Sequence, residues 1–497
     1  MSNPPVWPGQ YAGSGRPWPP RFRLLLIALL AAAVVVVMSV SGGPYEFASR
    51  SWLAPPGQVT IAADILYRLA AALAASGRGN EAGGVNTRDL EQAALALYER
   101  SALGPEQSAQ ASYRLGIFYA RAGYYEQAQE MFARAILHDE GNIRLYGLLS
   151  RLYAAAPATS GVPADAAALL EQSALLRNQD RWLATLTLAD LYACVGQPAR
   201  AAELRAEWQT RQVLFAALIG GVLMFYLLMG LGGLVLLAAL CLRWLSRPPA
   251  RPQPRSASPA TWSVLDIGEA VVVLLFLMAS LAVLTTLARE RLGLASEMYE
   301  ALLVVASYLV ATAGTIILIV WRLGRGRPYA RLLGLRTKGA GRQIGQGVAG
   351  YAILVGLVVA IVLALKLLGL EALTAVVAPL AKAPTELLTE VKSPAALAVY
   401  FVLIVLIAPV AEEIIFRGFV YAGLRRTMTV PAAALGSAFI FAAVHVSTPA
   451  SGLAVIVVVG TILACLYERS RSVLPCMVTH ALYNGLIFAL LAICTLV

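Results

Sequence analysis

Residues 395–424 read AALAVYFVLIVLIAPVAEEIIFRGFVYAGL. Nearly the whole run is apolar, and its length suits one helix crossing the hydrocarbon layer of a bilayer. Its only charged side chains are Glu412, Glu413 and Arg417. Charge inside a span is costly and calls for a reason. Glu413 and Arg417 are spaced i,i+4, so on a helix they face one another and neutralise each other. Glu412 points about 100 degrees away and keeps no partner on its own helix. It is therefore the carboxylate free for chemistry, as a general base.

The same composition extends outward along the chain. Of 497 residues, 59% are hydrophobic and 13% are charged, which excludes an ordinary soluble globular protein. The net charge of +11 lies in short loops between apolar runs, the pattern of cytoplasmic loops in a membrane protein rather than of nucleic-acid binding. One loop holds Arg322, Arg325, Arg327, Arg331, Arg336, Lys338 and Arg342; Arg425 with Arg426 and Arg469 with Arg471 mark two others on the same side. The five cysteines form no paired spacing and predict no disulfide framework.

The sequence predicts an all-α polytopic membrane protein with about nine spans, each near bilayer length. They fall at 22–41, 213–242, 264–288, 300–321, 344–369, 395–424, 430–448, 452–467 and 473–495. Residues 1–21 read as a disordered cytoplasmic tail. The first span has no A-x-A cleavage pattern after it and reads as an uncleaved anchor. Residues 243–262 form a basic Pro-rich linker, and 371–393 read as an interfacial or re-entrant segment. Residues 264–497 make up the polytopic domain, with its catalytic core at 395–490.

Between the first two spans, residues 61–210 are amphipathic and repetitive. Leu115, Gly116, Tyr119, Gly123, Ala128, Phe132 and Ala135 fall where a tetratricopeptide (TPR) unit places its packing residues. Leu188, Ala189, Tyr192, Gly196 and Ala201 repeat the pattern; Leu149, Ser150 and Tyr153, and Leu69, Ala70, Leu73 and Gly77, offer further copies. Such helix pairs stack because none buries its apolar face alone, and a solenoid results. Loop charge places the N-terminus in the cytoplasm and this TPR-like region outside it, in a protein of the plasma membrane. A protein partner at this region is expected, beside the lipid bilayer and a membrane-associated protein or peptide substrate; nucleic acid is not.

Two of the three histidines, His445 and His480, lie in later spans at depths that can meet Glu412. Phe441 precedes His445 by one turn and walls the same face, and Asn484 follows His480 by one turn. An imidazole and an amide so placed can serve a polarised carbonyl oxygen or an ion.

The EExxxR, FxxxH and HxxxN patterns, in successive late helices, resemble the CPBP intramembrane protease family. That family includes type II CAAX prenyl proteases and bacteriocin-processing, lysostaphin-resistance-protein-like members. The resemblance implies an intramembrane endopeptidase acting on membrane-associated or prenylated CAAX-type substrates. It further implies that Glu412 and His445 activate water, that His480 and Asn484 hold the oxyanion, and that Glu413, Arg417 and Phe441 support them. In a metal-dependent version Glu412, His445 and His480 hold a zinc ion (Zn2+); in the other version no metal takes part. HExxH is absent. The alternatives are a non-catalytic scaffold presenting the TPR-like region, and a proton-coupled transporter; the latter lacks any second half repeating the motifs.

Overall fold

The computed structural model describes residues 56–75, 87–102, 109–138, 147, 149–150, 181–194, 196–245, 262–292, 296–323, 328–336, 338–367, 391, 393–445 and 450–496. The regular elements in these residues are all helical: α1 (Pro56–Ala75), α2 (Thr87–Ala102), α3 (Ala109–Arg121), α4 (Tyr125–His138), α5 (Arg181–Cys194) and α6 (Pro198–Leu245). The later ones are α7 (Val264–Leu292), α8 (Glu297–Leu323), α9 (Ala340–Leu367), α10 (Pro394–Leu424), α11 (Val430–Ala443), α12 (Ala450–Ser470) and α13 (Leu474–Leu496). Two compact units divide them. One comprises Arg50–Met229, Val362–Ala398 and Gly485–Val497, and the other includes Gly230–Ile361 and Val399–Asn484.

In the first unit, α1 packs on α2, α2 on α3 and α3 on α4, each helix on its neighbour in the chain. Two helix ends in this unit close on a glycine. Gly123 has φ +86° and Gly196 φ +79°, in the left-handed region that a residue with a Cβ rarely adopts. At the first turn, the N–H of Tyr124 donates to the Tyr119 carbonyl at 2.8 Å and that of Gly123 to Ala120 at 3.1 Å. At the second, Gln197 donates to Tyr192 at 2.9 Å and Gly196 to Ala193 at 3.4 Å. Both are glycine-ended Schellman closures that satisfy the last carbonyls of a helix and turn the chain back. Gly116 lies against Phe132, where an added Cβ would come within 2.7 Å of the ring. Aromatic residues fill the centre: Phe118 stacks on Tyr98 at 4.6 Å and meets Tyr67 at 4.4 Å, with Trp182 beyond. The copy around Tyr153 and the end of the one at Gly77 lie outside the described residues, as do the 22–41 anchor and most of the 371–393 segment.

The boundary expected at 210–213 falls inside α6. Nothing between Ala201 and Val213 is a Pro or Gly, so no residue there stops the helix. The domain limits at 61–210 and 213–242 therefore do not coincide with a helix end.

In the second unit the helices approach closely where glycines permit. A Cβ on Gly233 of α6 would sit 1.8 Å from the Ala352 carbonyl oxygen of α9, and one on Gly356 would sit 2.7 Å from the Gly230 carbonyl oxygen. Small residues at such crossings let backbones meet in a membrane. The other face of α9 receives α13 in the same way, with Gly350 against Thr479. The Thr479 hydroxyl donates to the Gly347 carbonyl at 2.8 Å. This contact sets the depth of the residue that follows it, His480.

Among the described residues six helices are long and apolar enough to cross a membrane: Pro198–Arg243, Val264–Ala288, Glu297–Leu323, Ala340–Ala360, Pro394–Leu424 and Leu474–Cys494. The count of nine also included 22–41, outside the described residues, and the segments of α11 and α12. The first of these two differs from expectation. α11 has 14 residues, about 21 Å of helix, against a hydrocarbon layer of about 30 Å. It ends at Ala443 and leaves His445 in the turn beyond, whereas the sequence placed His445 within a span reaching 448.

Candidate active site

α10 changes register twice. Val402–Ile407 and Ile414–Tyr421 are π-helical, and the α-helical turn Ala408–Glu413 between them carries both carboxylates. Pro409 explains the first change. A proline inside a helix has no N–H to donate and its ring crowds the carbonyl one turn back, which a wider turn relieves. In the wide register the N–H of Ala408 reaches the Leu403 carbonyl. The next carbonyl, that of Ile404, would be served by residue 409, which cannot donate. Asn484 fills the gap: its side-chain amide donates to the Ile404 oxygen at 2.8 Å. The second wide turn is held likewise, by the Ser437 hydroxyl on the Phe416 carbonyl at 3.1 Å and the Trp262 indole on that of Phe419 at 2.9 Å. Gly418 lets the Leu333 carbonyl approach, since a Cβ there would lie 2.6 Å from it.

Glu413 and Arg417 form the expected pair, at 3.1 Å, and both side chains are 0% exposed. The Arg417 guanidinium also lies 4.5 Å from the centre of the Phe441 ring and reaches the Gly460 carbonyl at 3.4 Å. Glu413 has a second partner that helical spacing did not give, the Nδ1 of His480 at 2.9 Å. Its Oε2 has no hydrogen-bond partner among the described residues. Since a carboxylate only accepts, His480 carries its proton on Nδ1 and turns Nε2 the other way. That nitrogen faces Glu412, 3.8 Å from its Oε2. His480 thus stands between the two adjacent carboxylates, tied to one and facing the other.

His445 is oriented by the end of α11. Its Nδ1 donates to the Phe441 carbonyl at 2.8 Å, which again leaves Nε2 as the presented atom. Phe441 is the shared wall: its ring centre is 4.8 Å from that of His445, 5.9 Å from that of His480 and 4.9 Å from that of Phe416. The structure accordingly brings Glu412, Glu413, Arg417, Phe441, His445 and His480 into one linked set. Asn484 joins it through the backbone of α10.

Reasoning from spacing missed three residues. The Tyr308 hydroxyl of α8 donates to Glu412 Oε1 at 2.8 Å, so the carboxylate that has no partner on its own helix has one on another. Trp262 and Ser437 support α10. A tyrosine deep in a span, away from the interfacial belt where aromatic residues collect, is the one signal that could have marked Tyr308. Among the described residues no group of three or more His, Cys, Asp or Glu side chains is placed to hold a metal ion. Glu412 and His480 approach as a pair, whereas a catalytic zinc is held by several protein side chains.

Residues 394–486 match the family model for type II CAAX prenyl endopeptidase Rce1-like proteins. No curated protein and no solved structure matches the chain. The match contains the three motifs but excludes α7, α8 and α9, which contribute Tyr308 and the glycine contacts beside His480. Apolar helices long enough to span a membrane, paired carboxylates and two oriented imidazoles lie within the matched segment, so residues 394–486 of this polytopic membrane protein are similar to the type II CAAX prenyl endopeptidase Rce1-like family in sequence and in the groups they bring together.

Proposed function

We propose that the chain is an intramembrane endopeptidase that cleaves membrane-associated or prenylated CAAX-type substrates with a water activated by Glu412, without a metal. The observation that carries this is the pairing of Glu412 Oε2 with His480 Nε2 across 3.8 Å, with the far side of the imidazole held by buried Glu413. Glu412 takes a proton from water as the water oxygen attacks the scissile carbonyl carbon. The oxyanion accepts a hydrogen bond from Nε2 of protonated His480, whose Nδ1 proton Glu413 holds. The carbon–nitrogen bond then breaks and the proton on Glu412 passes to the leaving amine, giving a free carboxylate and an amine. His445 assists from its Nε2. Asn484 donates one amide hydrogen to Ile404 and keeps a second for the oxyanion.

The test is cleavage of a panel of membrane and prenylated peptides by the purified chain, with and without chelator. Full activity is expected in chelator, and His445→Ala is expected to lower the rate by about 10²- to 10⁴-fold. Chelator inhibition reversed by added zinc would move the mechanism to the metal version; an unaffected His445→Ala would remove His445 from the site.

We further propose that the 61–210 region lies outside the cytoplasm of the plasma membrane and captures substrate or a partner protein, as its stacked helix pairs suit. A membrane-impermeant crosslinker on intact cells should join it to that partner. Labelling that appears only after lysis would overturn the placement, and undiminished cleavage after deletion of the region would overturn the role.

A further inference from the structure

Tyr308 stands outside the three motifs and outside residues 394–486, yet its hydroxyl reaches the proposed base from another helix. A phenol has a single proton and an ionised carboxylate has none, so Tyr308 is the donor and Glu412 Oε1 the acceptor. The donor sits on a fixed helix. Ala301, Ala311, Thr312 and Thr315 of α8 are buried, and Arg322 near its end is paired with Glu269 of α7. With Oε1 engaged, Oε2 is the oxygen left facing His480 Nε2 at 3.8 Å. That gap is too long for a direct hydrogen bond, but an oxygen about 2.8 Å from each atom closes a triangle with them. Among the described residues Tyr308 from α8 and His480 from α13 approach Glu412, Glu413 and Arg417 on its own helix are engaged with each other, and His445 of the same linked set stands at the end of α11.

We propose that Tyr308 is a positioning residue: it holds Oε1 of Glu412 so that Oε2 is the atom that takes the proton from the attacking water. This rests on the assignment of Glu412 as base. A bond made only to satisfy a hydroxyl in an apolar span would leave the reaction indifferent to its loss. One tied to the base should alter turnover without altering substrate binding.

The test uses full-length protein in lipid nanodiscs, with Tyr308→Phe and Glu412→Gln beside the wild type. A fluorogenic farnesylated peptide reports kcat and KM, and infrared difference spectra at one pH, taken against Glu412→Gln, report the carboxylate stretches of Glu412. Tyr308→Phe should lower kcat about ten-fold, the loss of one hydrogen bond to a charged group, with KM little changed. It should also shift the Glu412 bands. Unchanged kcat and unchanged bands in Tyr308→Phe, with Glu412→Gln inactive, would overturn the role of Tyr308 and leave the base in place. Wild-type cleavage by Glu412→Gln would instead overturn the base, and the positioning role with it. If the peptide is not cleaved at all, the bands decide: a shift upholds the hold on Oε1 and no shift overturns it.

Discussion

Glu412→Gln is expected to reduce cleavage by about 10²- to 10⁴-fold, the worth of a positioned general base, while the protein still inserts and purifies as the wild type does. The substitution is close to isosteric. A Gln oxygen still accepts from Tyr308, and the side chain, 13% exposed, carries none of the buried charge that Arg417 balances. The missing element is an oxygen able to take a proton. Cleavage of the farnesylated peptide against a thermal-unfolding control measures it, and retention of more than half the wild-type rate would sink the assignment.

Arg417→Met is expected to act on folding. Arg417 and Glu413 are both fully buried, and removing the cation leaves a carboxylate in an apolar interior with only His480 beside it. Breaking a buried pair from one side costs about 3–5 kcal/mol, enough to lower folded yield sharply. The double variant Glu413→Gln with Arg417→Met should recover much of that loss, because neither half of the buried pair is then left without the other. It should not recover cleavage. His480 would have lost the carboxylate that fixes its Nδ1 proton. Thermal unfolding and cleavage rate, read on the same four proteins, separate the two effects. Equal stability of Arg417→Met and wild type would refute the account, as would cleavage restored in the double variant.

The parts of the site readable in the sequence are those that helical periodicity fixes. Glu413 with Arg417 and Phe441 with His445 follow from one turn of spacing, and the structure joins both pairs. Gly123 and Gly196 stand at helix ends because a left-handed residue there is a local demand met by glycine. What periodicity could not give is whatever one helix presents to another. The approach of Tyr308 to Glu412 joins residues far apart in sequence, as does that of Trp262 to Phe419, and no spacing rule connects them. The same holds for His480 with Glu413. The π turns were hidden for a different reason. Pro409 announces a disturbance, but a kink, a break and a widened turn all begin with the same missing N–H. Only the donor from Asn484 reveals which one the chain took.

The widened turn before Pro409 sets the phase of α10 upstream of it apart from the phase of the turn that carries the carboxylates. Adding one residue to a turn rotates everything upstream relative to everything downstream by about 100 degrees, with no change of axis required. Upstream, Phe401, Val402 and Leu406 are exposed; downstream, Glu413 and Arg417 are buried and Glu412 faces His480. The outward stripe and the catalytic face are therefore indexed separately along a single rod. Exposed upstream side chains such as Val402 and Leu406 can thus vary on a face other than the one that carries the carboxylates, while the backbone of the same turn still anchors Asn484.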